Sequence, residues 1–187
     1  DSYDNNLSYE PFPNEKLKYA VDKEGDFYWW STYGICKLSN DGIITLLAKA
    51  ENNNRATVTD GDNGNGFIRG AVYDLKYNAA DDAIYFIESI SSGALDKGFY
   101  FKNKLIEDRN DIRLLRKITP NGNLTTLTYS DGNLFFTKPY DFFFGNNGDI
   151  LFTVASNCPS RNCRAVDVYR WNKKDKEQLI LPFNGSL

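Results

Sequence analysis

Tyr140-Asp141-Phe142-Phe143-Phe144-Gly145-Asn146-Asn147-Gly148-Asp149-Ile150-Leu151-Phe152 reads as an apolar strand, a Gly/Asn turn and a second apolar strand. The same order and spacing stand in Tyr73-Asp74-Leu75-Lys76-Tyr77-Asn78-Ala79-Ala80-Asp81-Asp82-Ala83-Ile84-Tyr85. They return in Leu17-Lys18-Tyr19-Ala20-Val21-Asp22-Lys23-Glu24-Gly25-Asp26-Phe27-Tyr28-Trp29. A hairpin repeated at such intervals marks stacked supersecondary units, each too small to bury its apolar face alone.

A second hairpin follows each copy. Its clearest form is Arg113-Leu114-Leu115-Arg116-Lys117-Ile118-Thr119-Pro120-Asn121-Gly122-Asn123-Leu124-Thr125-Thr126-Leu127, where Pro-Asn-Gly marks a turn between β-rich runs. Ile35 to Leu47 is its counterpart, with Leu38 aligned on Ile118 and Gly42 on Gly122. Val168 to Ile180 is a third form with a charged turn. Each repeat therefore predicts four strands in two hairpins. Repeated four-stranded antiparallel sheets point to an all-β chain, a β-propeller whose blades cover one another's faces. A β-sandwich is the competing fold, but it gives no reason for turns to recur in register. The expected blades are 16–71, 72–138 and 139–187, preceded by a polar lead-in arm at 1–15. Residues 89–110 interrupt the second blade between its second and third strands, as either a binding loop or an ornament.

The residues resemble the NHL-repeat family of β-propellers. Arg116 to Leu127 is similar to that family's R-K-I-x-P-x-G-x-V-T-T-L hairpin, Lys138-Pro139-Tyr140-Asp141-Phe142 to its inner-strand start, and Gly148 to Ser156 to its G-N-L-Y-V-A-D segment. The resemblance implies a ring that is typically six-bladed. Three complete blades leave two sheet faces in water, so this chain is expected to be part of a larger propeller completed by blades of the same or another chain. Self-association of three plus three blades is the alternative. The family's lyases use His-bound zinc, which this chain cannot supply.

Composition narrows the chemistry. Of 187 residues 41% are hydrophobic and 15% aromatic, enough for a sizeable core. With 22 basic and 25 acidic residues the net charge is -3, which gives no footprint for a nucleic-acid backbone. Histidine is absent, which excludes Ser-His-Asp, Cys-His and His-zinc sites within these residues. No apolar run approaches the roughly 20 residues that span a bilayer, so no membrane insertion by this segment is expected. Cys158 and Cys163 flank Pro-Ser-Arg-Asn and suit a small disulfide loop in an extracytoplasmic compartment, two free thiols being the alternative. Cys36 reads as a buried strand cysteine.

The candidate sites follow from the repeat. Inner strands of a propeller line its channel, so Tyr73, Asp74, Tyr140 and Asp141, with Lys18 in the same place, are expected at one channel mouth. There they hold a polar ligand or cation, or only ordered water. Asp60 and Asp62, in Asp60-Gly61-Asp62-Asn63-Gly64-Asn65-Gly66, are calcium candidates without the distal bidentate Glu, and no cofactor is otherwise expected. Trp29 and Trp30 point to opposite faces of a strand, as inter-blade core or as a stacking surface for a sugar or partner. The expected function is a non-catalytic binding or scaffolding module for a protein or carbohydrate ligand. The alternative is a metal-dependent hydrolase, lactonase-like, with carboxylate ligands around the channel.

Overall fold

The computed structural model describes residues 19–51, 57–90, 99–101, 104–106, 112–128, 139–145, 149–155, 166–171 and 178–181, and among them there is no helix. Sheet one takes β1 (Tyr19–Val21), β2 (Phe27–Ser31), β3 (Gly34–Leu38) and β4 (Ile44–Ala50) in antiparallel order. Next in the chain come β5 (Thr57–Val58) and β6 (Phe67–Ile68), and β6 adds a fifth strand parallel to β4. Sheet two is built from β7 (Ala71–Asn78) and β8 (Ala83–Ile90). After β9 (Phe99–Phe101) and β10 (Lys104–Ile106) it continues with β11 (Ile112–Ile118) and β12 (Leu124–Thr126). Sheet three runs β13 (Asp141–Phe144), β14 (Ile150–Ala155), β15 (Val166–Trp171), β16 (Gln178–Leu181), all antiparallel. Four strands per repeat thus holds for sheets two and three, while sheet one carries five.

Strand alternation explains how these sheets stack. Along β8, Ile84 and Phe86 join a core with Ala20, Tyr28, Ile35, Leu47 and Ala48 of sheet one. Their neighbours Ala83, Tyr85 and Ile87 join a second core with Phe142, Ile150, Phe152 and Trp171 of sheet three. Sheet two is therefore buried on both faces, which is why its central strand reads as a nearly continuous apolar run. The edge strands β1, β7 and β13 come together, β7 lying beside the other two. Antiparallel sheets packed face to face, with their first strands converging, form the arrangement of successive propeller blades.

The two outer hairpins carry the same turn. Gly42 and Gly122 have φ of 85° and 83°, a left-handed conformation that costs glycine nothing. Each donates its N–H at 2.9 Å to the carbonyl of Ser39 or Thr119 three residues earlier. The first hairpins differ instead. Residues 22–26 and 145–149 link them in sheets one and three, but only 79–82 in sheet two, where a β-bulge between Tyr73 and Lys76 restores the register.

The interruption at 89–110 is not merely ornamental. Its β9 and β10 form a small sheet with β5, and Phe101 is buried with Val58, Ile90, Ile112 and Leu114. The arm at 1–15, Lys18, Cys158 and Cys163 lie outside the described residues.

Candidate functional site

Where sheets two and three meet at their first strands, the seam brings Tyr140 and Asp141 of β13's start beside β7, the strand that carries Tyr73. Lys76, on the β7 face turned toward sheet three, donates from Nζ to Asp141 Oδ1 and to the Phe142 carbonyl, both at 2.5 Å. Its ammonium also lies 4.5 Å from the centre of the Phe143 ring, and the ring face attracts cations. Asp141 Oδ1 further accepts the Phe142 N–H at 2.8 Å. Above this contact the Arg113 guanidinium stacks 3.5 Å over the Tyr140 ring and donates from Nη1 to the Pro139 carbonyl at 3.4 Å. Tyr73, Tyr140 and Phe143 nevertheless keep 41%, 47% and 51% of their surface in water. Two cations thus fix the backbone at the start of β13, and each also lies against a ring, Lys76 on Phe143 and Arg113 on Tyr140.

Asp74 and Asp141 do not occupy one equivalent position. Asp141 pairs with Thr153 across the hairpin and Tyr73 with Ile87, while Asp74 falls in the bulge. Equal sequence spacing hides this, because the shorter turn in sheet two and its bulge cancel in the count. Asp74 is also buried and has φ of 53°, a conformation uncommon for any residue but glycine and most tolerated by Asn and Asp.

The Asp60–Gly66 loop is a strap across the second outer hairpin. Gly61 exchanges both backbone hydrogen bonds with Leu124, and Gly64 N–H donates to the Gly122 carbonyl at 3.1 Å. Gly66 has no room for a side chain, since a Cβ there would lie 2.6 Å from Leu124 Cβ. Asp60 Oδ1 accepts from Thr126 Oγ1 at 2.7 Å and from Arg116 Nη2 at 3.1 Å, and Asp62 is exposed. Among the described residues no group of three or more Cys, Asp or Glu side chains gathers closely enough to hold a metal ion.

Arg116 is the residue that motif reading passed over. It is fully buried between sheets one and two, paired at 2.5 Å with buried Glu88 and donating to the Thr59 and Phe67 carbonyls at 2.9 Å. Glu88 in turn accepts the N–H groups of Arg69 and Gly70 at 2.7 and 2.9 Å. The signal lay in alternation, because Arg116 shares its strand face with Leu114 and Ile118, both core positions.

Trp30 packs against the core between sheets one and two, whereas Trp29 faces the other way and stacks on Phe27 with ring centres 5.9 Å apart. Cys36 is a buried free thiol beside Ser31 Oγ, at 3.6 Å.

Compared with known proteins, the chain matches no family model and no curated protein. It is similar to the crystal structure of a protein proposed to be a gluconolactonase, at 15% identity and a TM-score of 0.47, over 88% of this chain and 48% of the other. The chain thus spans about half the length of that protein.

Proposed function

We propose that this chain supplies NHL-like blades of a larger ring and works as a non-catalytic recognition module, binding a protein or glycan at the inner-strand seam of sheets two and three. The observation that carries this reading is the trio of exposed rings, Tyr73, Tyr140 and Phe143, beside cations already committed to holding backbone. The exposed parts of such rings pack on sugar rings or apolar side chains, and the rigid sheets beneath them spare the entropy of ordering a loop. The Cys158–Cys163 spacing supports an extracytoplasmic setting for such a ring.

A second reading, the lactonase-like propeller, is favoured by buried Asp74 in its left-handed conformation, because unusual backbone geometry concentrates at reactive and ligand-clamping sites. In this reading Asp74 and Asp141 would hold a cation together with ligands from other blades, and that cation would supply Lewis-acid polarisation of a lactone carbonyl.

A glycan array and a peptide display screen, followed by Tyr73→Ala and Tyr140→Ala, test the first reading. Each substitution is expected to weaken the selected ligand about tenfold, roughly 1.4 kcal/mol. Unchanged affinity in both variants overturns the seam as the site. Hydrolysis of glucono-lactone that needs added calcium and is lost in Asp74→Asn establishes the second reading instead.

A further inference from the structure

The face of sheet two turned toward sheet three does not end with its core. Beyond the row of Tyr73, Ile87 and Leu115, cross-strand register sets Ala71, Ser89 and Arg113 in one further row. Ile87 and Leu115 belong to the core shared with sheet three, whereas Ala71 is exposed and Ser89 and Arg113 are half-buried. Arg113 stands apart in its partners. Lys76, Arg116, Lys117 and Arg170, the other cations on the strands of sheets two and three, each lie against an aspartate or glutamate at 2.5 to 3.9 Å. Arg113 meets no carboxylate among the described residues, since Nη1 goes to the Pro139 carbonyl and the guanidinium plane rests on Tyr140. Its Nε and Nη2 donors have no acceptor among these residues. A half-buried guanidinium with donors to spare gains most from an anion.

Taking the seam as the binding site proposed above, we infer that its ligand is a sugar chain bearing a uronate, whose carboxylate pairs with Arg113 while a neighbouring sugar packs on Tyr73. Two strands at about 4.8 Å and one side-chain repeat of about 7 Å put Tyr73 and Arg113 about 12 Å apart at Cα, within the span of one short oligosaccharide. Between them Ala71 and Ser89 keep the surface low, and Ser89 brings a hydroxyl to the cross-strand partner of Arg113. A guanidinium takes a carboxylate through two parallel N–H bonds, and with Nη1 engaged the edge formed by Nε and Nη2 is the one it offers. Stacking on Tyr140 fixes that edge before the ligand arrives. A uronate carries ring and carboxylate at a fixed distance, whereas an acidic peptide has to order separate side chains to supply both. One cation matches one carboxylate. With 22 basic and 25 acidic residues the chain repels polyanions at long range, which disfavours runs of acid groups and phosphate-rich partners.

Calorimetric titration of the protein with oligosaccharides carrying one glucuronate or galacturonate, each beside its carboxyl methyl ester, tests this assignment. The acid is expected to bind about tenfold more tightly than the ester, the difference that a charge-assisted pair of hydrogen bonds supplies. Arg113→Gln brings the acid down to the ester and leaves the ester unchanged. Arg113→Lys, which keeps the charge without the fork, falls between them, and circular dichroism checks that both variants fold. Tyr73→Ala weakens acid and ester alike, so the site and its acid preference fail separately. Equal binding of acid and ester, or binding of neither, overturns the inference, and equal binding that Tyr73→Ala still weakens leaves the seam standing. Loss of both ligands in Arg113→Gln also overturns it, because Arg113 then only positions Tyr140. A Glu-rich peptide that binds where the sugars do not, and is lost in Arg113→Gln, replaces the sugar with an acidic protein partner.

Discussion

Tyr28 buries its ring completely between two sheets, and its hydroxyl ends on Asp22 Oδ2 at 2.8 Å. The same Asp22 accepts the N–H groups of Glu24 and Asp26 through Oδ1 at 3.0 and 2.9 Å, so one carboxylate shapes the turn and satisfies the phenol. Sheet two repeats the device with Tyr77 on Asp82 at 2.8 Å and Tyr85 on Asp81 at 2.6 Å. Burial first, and the neighbouring carboxylate second, push all three phenols upward, Tyr77 to about 12. A raised folded value means that the stabilisation is whole below the unfolded value of about 10 and is lost as pH rises through the folded one. Stability is thus expected to fall between about pH 10 and 12. In an ultraviolet titration these three are expected to ionise only as the protein unfolds. Ionisation of Tyr28, Tyr77 and Tyr85 near pH 10 in folded protein would contradict this. The aspartates were legible in the sequence as turn formers. That they receive phenols was not, because the pairing depends on which way each tyrosine points.

At the scale of elements, the strap from Thr59 to Gly70 joins sheet one to sheet two without belonging to the repeat. Its carbonyls and N–H groups end on Arg116 and Glu88, an ion pair shielded from water on every side. Removing one partner of a buried pair strands the other charge, so Arg116→Met is expected to destabilise by about 3–5 kcal/mol in urea unfolding. Adding Glu88→Gln to Arg116→Met recovers part of the loss. A change below about 1 kcal/mol in Arg116→Met would show that the strap is held by its backbone bonds to Leu124 and Gly122 alone. The glycines of this strap were readable as a tight loop. Their purpose was not, since the approach of Gly66 to Leu124 joins residues 58 positions apart.

At the scale of the molecule, sheet two carries a core on each face. The three tryptophans report on either side of it, Trp29 and Trp30 in sheet one and Trp171 in sheet three. Variants retaining only Trp30 or only Trp171 are expected to unfold at one denaturant midpoint, because neither outer sheet is buried without the middle one. Phe86→Ala lowers both midpoints together, at a cost of about 3–5 kcal/mol. Separate midpoints would mean that the sheets unfold as independent units of a repeat array.

The sequence by itself determined strands, turns and their recurrence, since alternation and Asn-Gly chemistry act over a few residues and need no partner to be read. It also placed β7 and β13 at the edges of their sheets, because the order of hairpins within a repeat sets the order of strands in a sheet. Tertiary structure alone decided that Asp74 sits in a bulge while Asp141 pairs in register. It alone gave Asp60 to Arg116 and turned a loop interrupting the second repeat into part of a core. Those outcomes depend on distances between chain segments remote in sequence, and a linear pattern carries no measure of them.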